Sequence, residues 1–86
     1  MKEASFKNRD RLVNLGLAIS TCRKLAGISQ EELAERSGIS RSTISDIEAP
    51  GKIRNFSVDS LYSIADVLNV SASDLLQRAE VIDKNF

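Results

Sequence analysis

The sequence predicts an all-α fold, five helices around one core. Apolar residues recur at three- and four-residue steps from Leu12 to Phe86, and nowhere do they alternate as a half-buried strand requires. The stretches between them carry helix punctuation: Ser29, Ser40, Ser57 and Ser71 stand where helices start, and Gly27, Gly38 and Asn69 where they end. One Pro, four Gly and no Trp favour neither a sheet-and-turn protein nor a disordered chain.

Leu12, Leu15, Ile19, Cys22 and Ala26 form the apolar stripe of the first helix, and Gly27 follows as a glycine often does past a helix end. The second helix runs from Gln30 to about Ser37. Ser29 with Glu32 three residues on makes a capping box, while Leu33 and Ala34 point inward. Gly38 marks a turn suited to a left-handed backbone. Ile39 tucks beneath it, Ser40 caps the third helix, and Ile44 and Ile47 form its inner face. "APGK", Ala49 to Lys52, ends that helix, because proline removes a donor and glycine relaxes the backbone. Ser57 caps a fourth helix with apolar positions Val58, Leu61, Ile64, Ala65 and Leu68, and Asn69 closes it. Ser71 with Asp74 opens a fifth, continued by Leu75, Ala79, Ile82 and Phe86.

Eighty-six residues make one domain, 1–86, with a core expected over about residues 10–76 and a C-terminal helical extension over 77–86. A chain this size buries roughly 60–65% of its unfolded surface. With no His and one Cys, neither a zinc site nor a disulfide framework can be assembled, and no metal or cofactor is expected. Cys22, inside an apolar stripe, reads as a small core residue. No acid pair at a defined separation and no glycine-rich phosphate loop is present, so an enzyme is not expected. No apolar run reaches membrane-spanning length and no signal peptide is visible, so the expected location is the cytoplasm. The formal net charge is zero but unevenly spread. Residues 1–54 carry ten Lys/Arg against seven Asp/Glu, and residues 55–86 carry two against five. The local field at a contact face matters more than the sum.

Two helices of about eight residues joined by a glycine-bearing turn describe a helix-turn-helix. Each is too short to be stable alone, so the pair must hold a fixed mutual angle. The third helix opens oddly: Arg41-Ser42-Thr43 sets a cation beside the positive end of the helix dipole and puts no acid in the first turn.

"GISQEELAERSGISRSTISDIE", followed by "SVDSLYSIADVLNVSASDLL", resembles the helix-turn-helix domains of phage Cro and repressor proteins, the XRE or lambda-repressor-like family, over about residues 12–76. The resemblance implies a five-helix DNA-binding domain whose third helix enters the major groove N-terminus first, while the second crosses the backbone. The arginine then has a reason: an acid at that end would repel phosphate, whereas Arg41 can grip guanine O6 and N7, discriminating by roughly 1–3 kcal/mol. By position, the resemblance makes Arg41, Ser42, Ser45 and Asp46 base-reading. Gln30, Thr43, Gly51, Lys52 and Arg54 become phosphate contacts, Gln30 also buttressing the recognition helix. Arg23 and Glu48 become a structural ion pair. Phe56 and Tyr62 read as packing residues rather than base-stacking platforms. Relatives often carry a short proline-bearing loop before the fourth helix; this chain has the longer "APGKIRNFS", with Phe56 where proline would stand.

Repressors of this type usually bind palindromic operators as two-fold dimers. Leu75, Ala79, Ile82 and Phe86 form a stripe that the core does not obviously need, free to fold back onto the first helix or to pair with its twin. A homodimer through that stripe is the expectation. The implied function is sequence-specific binding of double-stranded DNA by a small bacterial or phage-type regulator, most simply a repressor. The alternative is an antitoxin-type module that masks a toxin-like protein partner while repressing its own operon.

Overall fold

The computed structural model describes residues 8–52 and 55–84. Among these, the elements in chain order are α1 (Arg9–Leu25), α2 (Gln30–Ser37), α3 (Arg41–Glu48), α4 (Val58–Leu68) and α5 (Ala72–Lys84). The all-α, five-helix expectation is met.

Four helix starts share one local chemistry. The hydroxyls of Ser29, Ser40, Ser57 and Ser71 accept from the backbone N–H of Glu32, Thr43, Ser60 and Asp74, at 3.0, 3.2, 3.0 and 2.9 Å. Each bond satisfies a donor that the first helical turn leaves open. At Ser29 only this half of the expected capping box is made, because the Glu32 carboxylate turns instead to Arg36 Nη1 at 3.3 Å. Gly38 closes α2 with φ +77 and Asn69 closes α4 with φ +58, both left-handed, where a β-carbon is costly.

The core draws on every helix. The five large side chains essentially without solvent exposure are Ile19, Leu33, Ile44, Ile64 and Leu75, one from each element. Burying a side chain of this kind stabilises by roughly 1.5–3 kcal/mol. Cys22 is buried among them, and Phe56 and Ile39 pack against the cluster from the loops. Helix α1 is the spine: α5 lies along it, and α3 crosses it while also packing on α2.

Five expectations are corrected. Ala26 is exposed, because α1 ends at Leu25 and Ala26 serves as its C-cap. Val58 is 65% exposed, because the first position of α4 points outward. Tyr62 sits on the outer side of α4 and is also exposed. The division between a core ending near residue 76 and an extension beyond it is absent, since α5 runs unbroken through that point and buries Ala79. Leu75 and Ala79 are therefore filled positions of the chain's own core against α1, not a dimer surface.

Candidate nucleic-acid interface

The presentation of α3 begins with its turn. Gly38 N–H bonds to the Ala34 carbonyl, and the Ser37 hydroxyl accepts from Ile39 N–H, so the chain reverses tightly before Ser40 starts the next helix. Ser40 Oγ also donates to Thr43 Oγ1 at 2.8 Å, tying the half-buried Thr43 side chain into the cap. Ile44 and Ile47 then hold the inner face of α3. By helical period, Ser42 and Asp46 stand one turn apart on the opposite face, with Ser45 beside them. Arg41 and Ser42 are exposed; Ser45 and Asp46 are half-buried. The first turn of α3 carries no acid.

The far end of α3 is pinned. Arg23, at the end of α1, donates from Nε to Glu48 Oε2 at 2.8 Å and from Nη2 to Glu48 Oε1 at 2.9 Å, a two-pronged pair. The side chains are 10% and 5% exposed. Arg23 Nη1 also donates to the Ile28 carbonyl at 2.8 Å, and Gln30 Nε2 donates to Glu48 Oε1 at 3.0 Å. One carboxylate thus joins the ends of α1 and α3 to the first residue of α2. The hydrogen bonds to Glu48 raise the Arg23 guanidinium above its ordinary pKa, against the opposing effect of burial. No buried side-chain polar atom among the described residues lacks a partner.

A second contact fixes the same end, and nothing in the sequence pattern singles it out. Gly16, buried in the middle of α1, is where the α3 backbone comes closest: a β-carbon there would collide with the Ile47 carbonyl oxygen and lie 3.1 Å from its carbon. The only signal available was a glycine inside a helix, where it costs about 1 kcal/mol relative to alanine and so asks for a packing reason.

Beyond α3, Pro50 and Gly51 form an exposed turn closed by Lys52 N–H on the Ala49 carbonyl. Lys52, expected on a phosphate, places Nζ 3.0 Å from Asp46 Oδ1, so a residue expected at phosphate and one expected at bases meet in one ion pair. Arg54 and Phe86 lie outside the described residues. No group of three His, Cys, Asp or Glu suited to a metal occurs among the described residues. No described helix is long and apolar enough to cross a membrane.

A short helix held against a glycine-turned partner, pinned at its C-terminus and open at its N-terminus, is the arrangement of a helix-turn-helix module that offers one helix to a ligand. The chain belongs to the helix-turn-helix family, whose profile matches residues 19–75. It is 40% identical over 68 residues to an uncharacterised HTH-type transcriptional regulator of Mycobacterium tuberculosis, a match covering 79% of this chain and 47% of that protein. The chain therefore spans about half the length of that relative. Among solved structures, the clp gene regulator ClgR from Corynebacterium glutamicum is similar with a TM-score of 0.76 and 30% identity, over 81% of this chain and 72% of the other. The restriction-modification controller protein C.AhdI from Aeromonas hydrophila is similar with a TM-score of 0.69 and 33% identity, over 74% and 94%.

Proposed function

We propose that the chain is a DNA-binding regulator of transcription that reads the major groove with α3. The carrying observation is the open end of α3, where Arg41 and Ser42 are exposed beside backbone N–H groups and no acid stands in the first turn. Under this reading Arg41 and Ser42 meet base edges first, with Ser45 one turn on. Thr43, Gln30 and the backbone near Gly51 face phosphates, which set register without carrying sequence. The similar proteins from Mycobacterium tuberculosis and Corynebacterium glutamicum are named as regulators of transcription or of genes, which supports a regulator and not toxin masking.

A two-fold dimer on a palindromic site completes the proposal. In such a dimer the two α3 helices would have to stand about one DNA turn, ~34 Å, apart to enter successive major grooves. With Leu75 and Ala79 filled, the exposed apolar residues of α5 are Leu76 and Val81, and these become the contact candidates alongside the half-buried Ile82.

The test is a titration of the full chain against the DNA upstream of its own gene at two salt concentrations, beside a scrambled duplex. Selective binding that weakens steeply with salt is expected, the slope counting phosphate contacts. Arg41→Ala is expected to lose roughly 1–3 kcal/mol on the preferred duplex and little on the scrambled one. Equal loss on both would move Arg41 from base reading to phosphate contact, and no binding by the wild type would overturn the reading.

A further inference from the structure

The pair at the outer edge of α3 raises a physical difficulty for a DNA-reading surface. Asp46 stands one turn after Ser42 on the outward face of α3, and its side chain is 29% exposed. A carboxylate on that face meets a polyanion. At contact distance, and only partly screened by water, that carboxylate and a phosphate repel each other. The chain places an ammonium on this carboxylate: Lys52, six residues on and across the turn at Pro50–Gly51, donates from Nζ to Asp46 Oδ1 at 3.0 Å.

We infer that Lys52 is a positioning residue for base readout. It acts through Asp46, neutralising and orienting the carboxylate so that Asp46 accepts from the N4 amino group of one cytosine in the half-site. An ionised carboxylate only accepts, and its two oxygens offer about four acceptor sites, so accepting from Lys52 does not exhaust them. In the major groove, guanine N7 and O6 and thymine O4 are acceptors and repel it, and adenine sets the N7 acceptor beside its N6 donor, whereas cytosine offers its N4 donor with no acceptor next to it. The pair thus turns an unfavourable charge into a selective one. This inference rests on the proposed reading of α3 and replaces the direct phosphate role first expected of Lys52.

Binding of the full-length wild type, Asp46→Asn, Lys52→Gln and the double variant is measured by fluorescence anisotropy on the preferred duplex at two salt concentrations. A selection from a duplex pool randomised across the half-site runs beside it. Both side chains are partly exposed, so the variants are expected to fold, and circular dichroism checks this. Lys52→Gln is expected to weaken binding roughly tenfold when Asp46 is present and less than about twofold in the Asp46→Asn background, as a coupled pair requires. In that background its salt slope is expected to stay unchanged. The selection is expected to yield one cytosine preference in wild type, weakened in Lys52→Gln and lost in Asp46→Asn. Equal losses from Lys52→Gln in both backgrounds, with the slope falling by about one, identify a phosphate contact and overturn the inference alone. A cytosine preference that survives Asp46→Asn overturns it as well. A wild type that binds no duplex overturns the α3 reading and this inference with it.

Discussion

Glu48→Ala leaves the Arg23 guanidinium inside the protein with the Ile28 carbonyl but without its counter-charge, and removes the acceptor that Gln30 uses. Breaking a buried pair by deleting one partner costs about 3–5 kcal/mol, so the melting temperature is expected to fall by well over 10 °C in a domain this size. A melt unchanged from the parent would reject the structural role of the pair. The pair also fixes the sign of a pH effect. Hydrogen bonding to Glu48 raises the Arg23 pKa, so the stability this group adds is fully present below its unfolded value. It is lost only as pH rises through the higher folded value, far into alkali. Through Arg23, stability is therefore expected to be flat across the neutral range, readable as overlapping melts. Gly16→Ala tests the other fixture of α3. The collision is with backbone, which cannot swing aside as a flexible side chain can, so a loss of roughly 1–3 kcal/mol is expected together with weaker DNA binding as α3 is pushed off α1. The ion pair was legible only through the family resemblance; the Gly16 crossing showed only as a glycine inside a helix, because a close backbone approach leaves no periodic pattern.

At the scale of the element, α3 is a helix built against its own dipole. Arg41→Glu places an acid where the first turn lacks one, so the free protein is expected to become more stable by about 0.3–1 kcal/mol. The same change puts a negative charge at the end proposed to enter the groove and is expected to abolish specific binding. A higher melting temperature with lost affinity is the signature of a residue kept for function. Lost affinity with a lower melting temperature would show Arg41 acting through the fold. Ser57→Ala supplies the contrast, because it removes the cap bond to Ser60 N–H at a helix remote from α3 in sequence. It is expected to cost about 1 kcal/mol of stability and leave DNA affinity unchanged. The helix limits were legible because serine caps and left-handed end residues are local chemistry. The pairing of Lys52 with Asp46 was not legible, because Asp46 lies back across a proline-glycine turn whose geometry the sequence left open.

For the whole molecule, the fifth helix decides between a packed core and a detachable dimerisation tail. Its stripe of Leu75, Ala79 and Ile82 reads the same in sequence whether it meets α1 or a second copy, since periodicity gives the apolar face of a helix and not what that face touches. In the structure Leu75 has no solvent exposure and Ala79 only 7%, both in the common cluster with Leu15, Ile19 and Cys22. Leu75→Ala is therefore expected to cost about 2–5 kcal/mol, a large share of the roughly 5–15 kcal/mol that typically separates folded from unfolded domains. A chain ended at Gln77 loses Ala79 and the rest of the helix, and is expected to unfold at or near ambient temperature, not to become a folded monomer. Val81 is different: it is half exposed, and Val81→Glu removes apolar surface without opening the core. If α5 carries the dimer on its outer flank, sedimentation of Val81→Glu shows a folded monomer while its melting curve at low concentration matches the parent. If the wild type sediments as a dimer and Val81→Glu does the same, the contact lies off this flank of α5, whose place in the core stays intact.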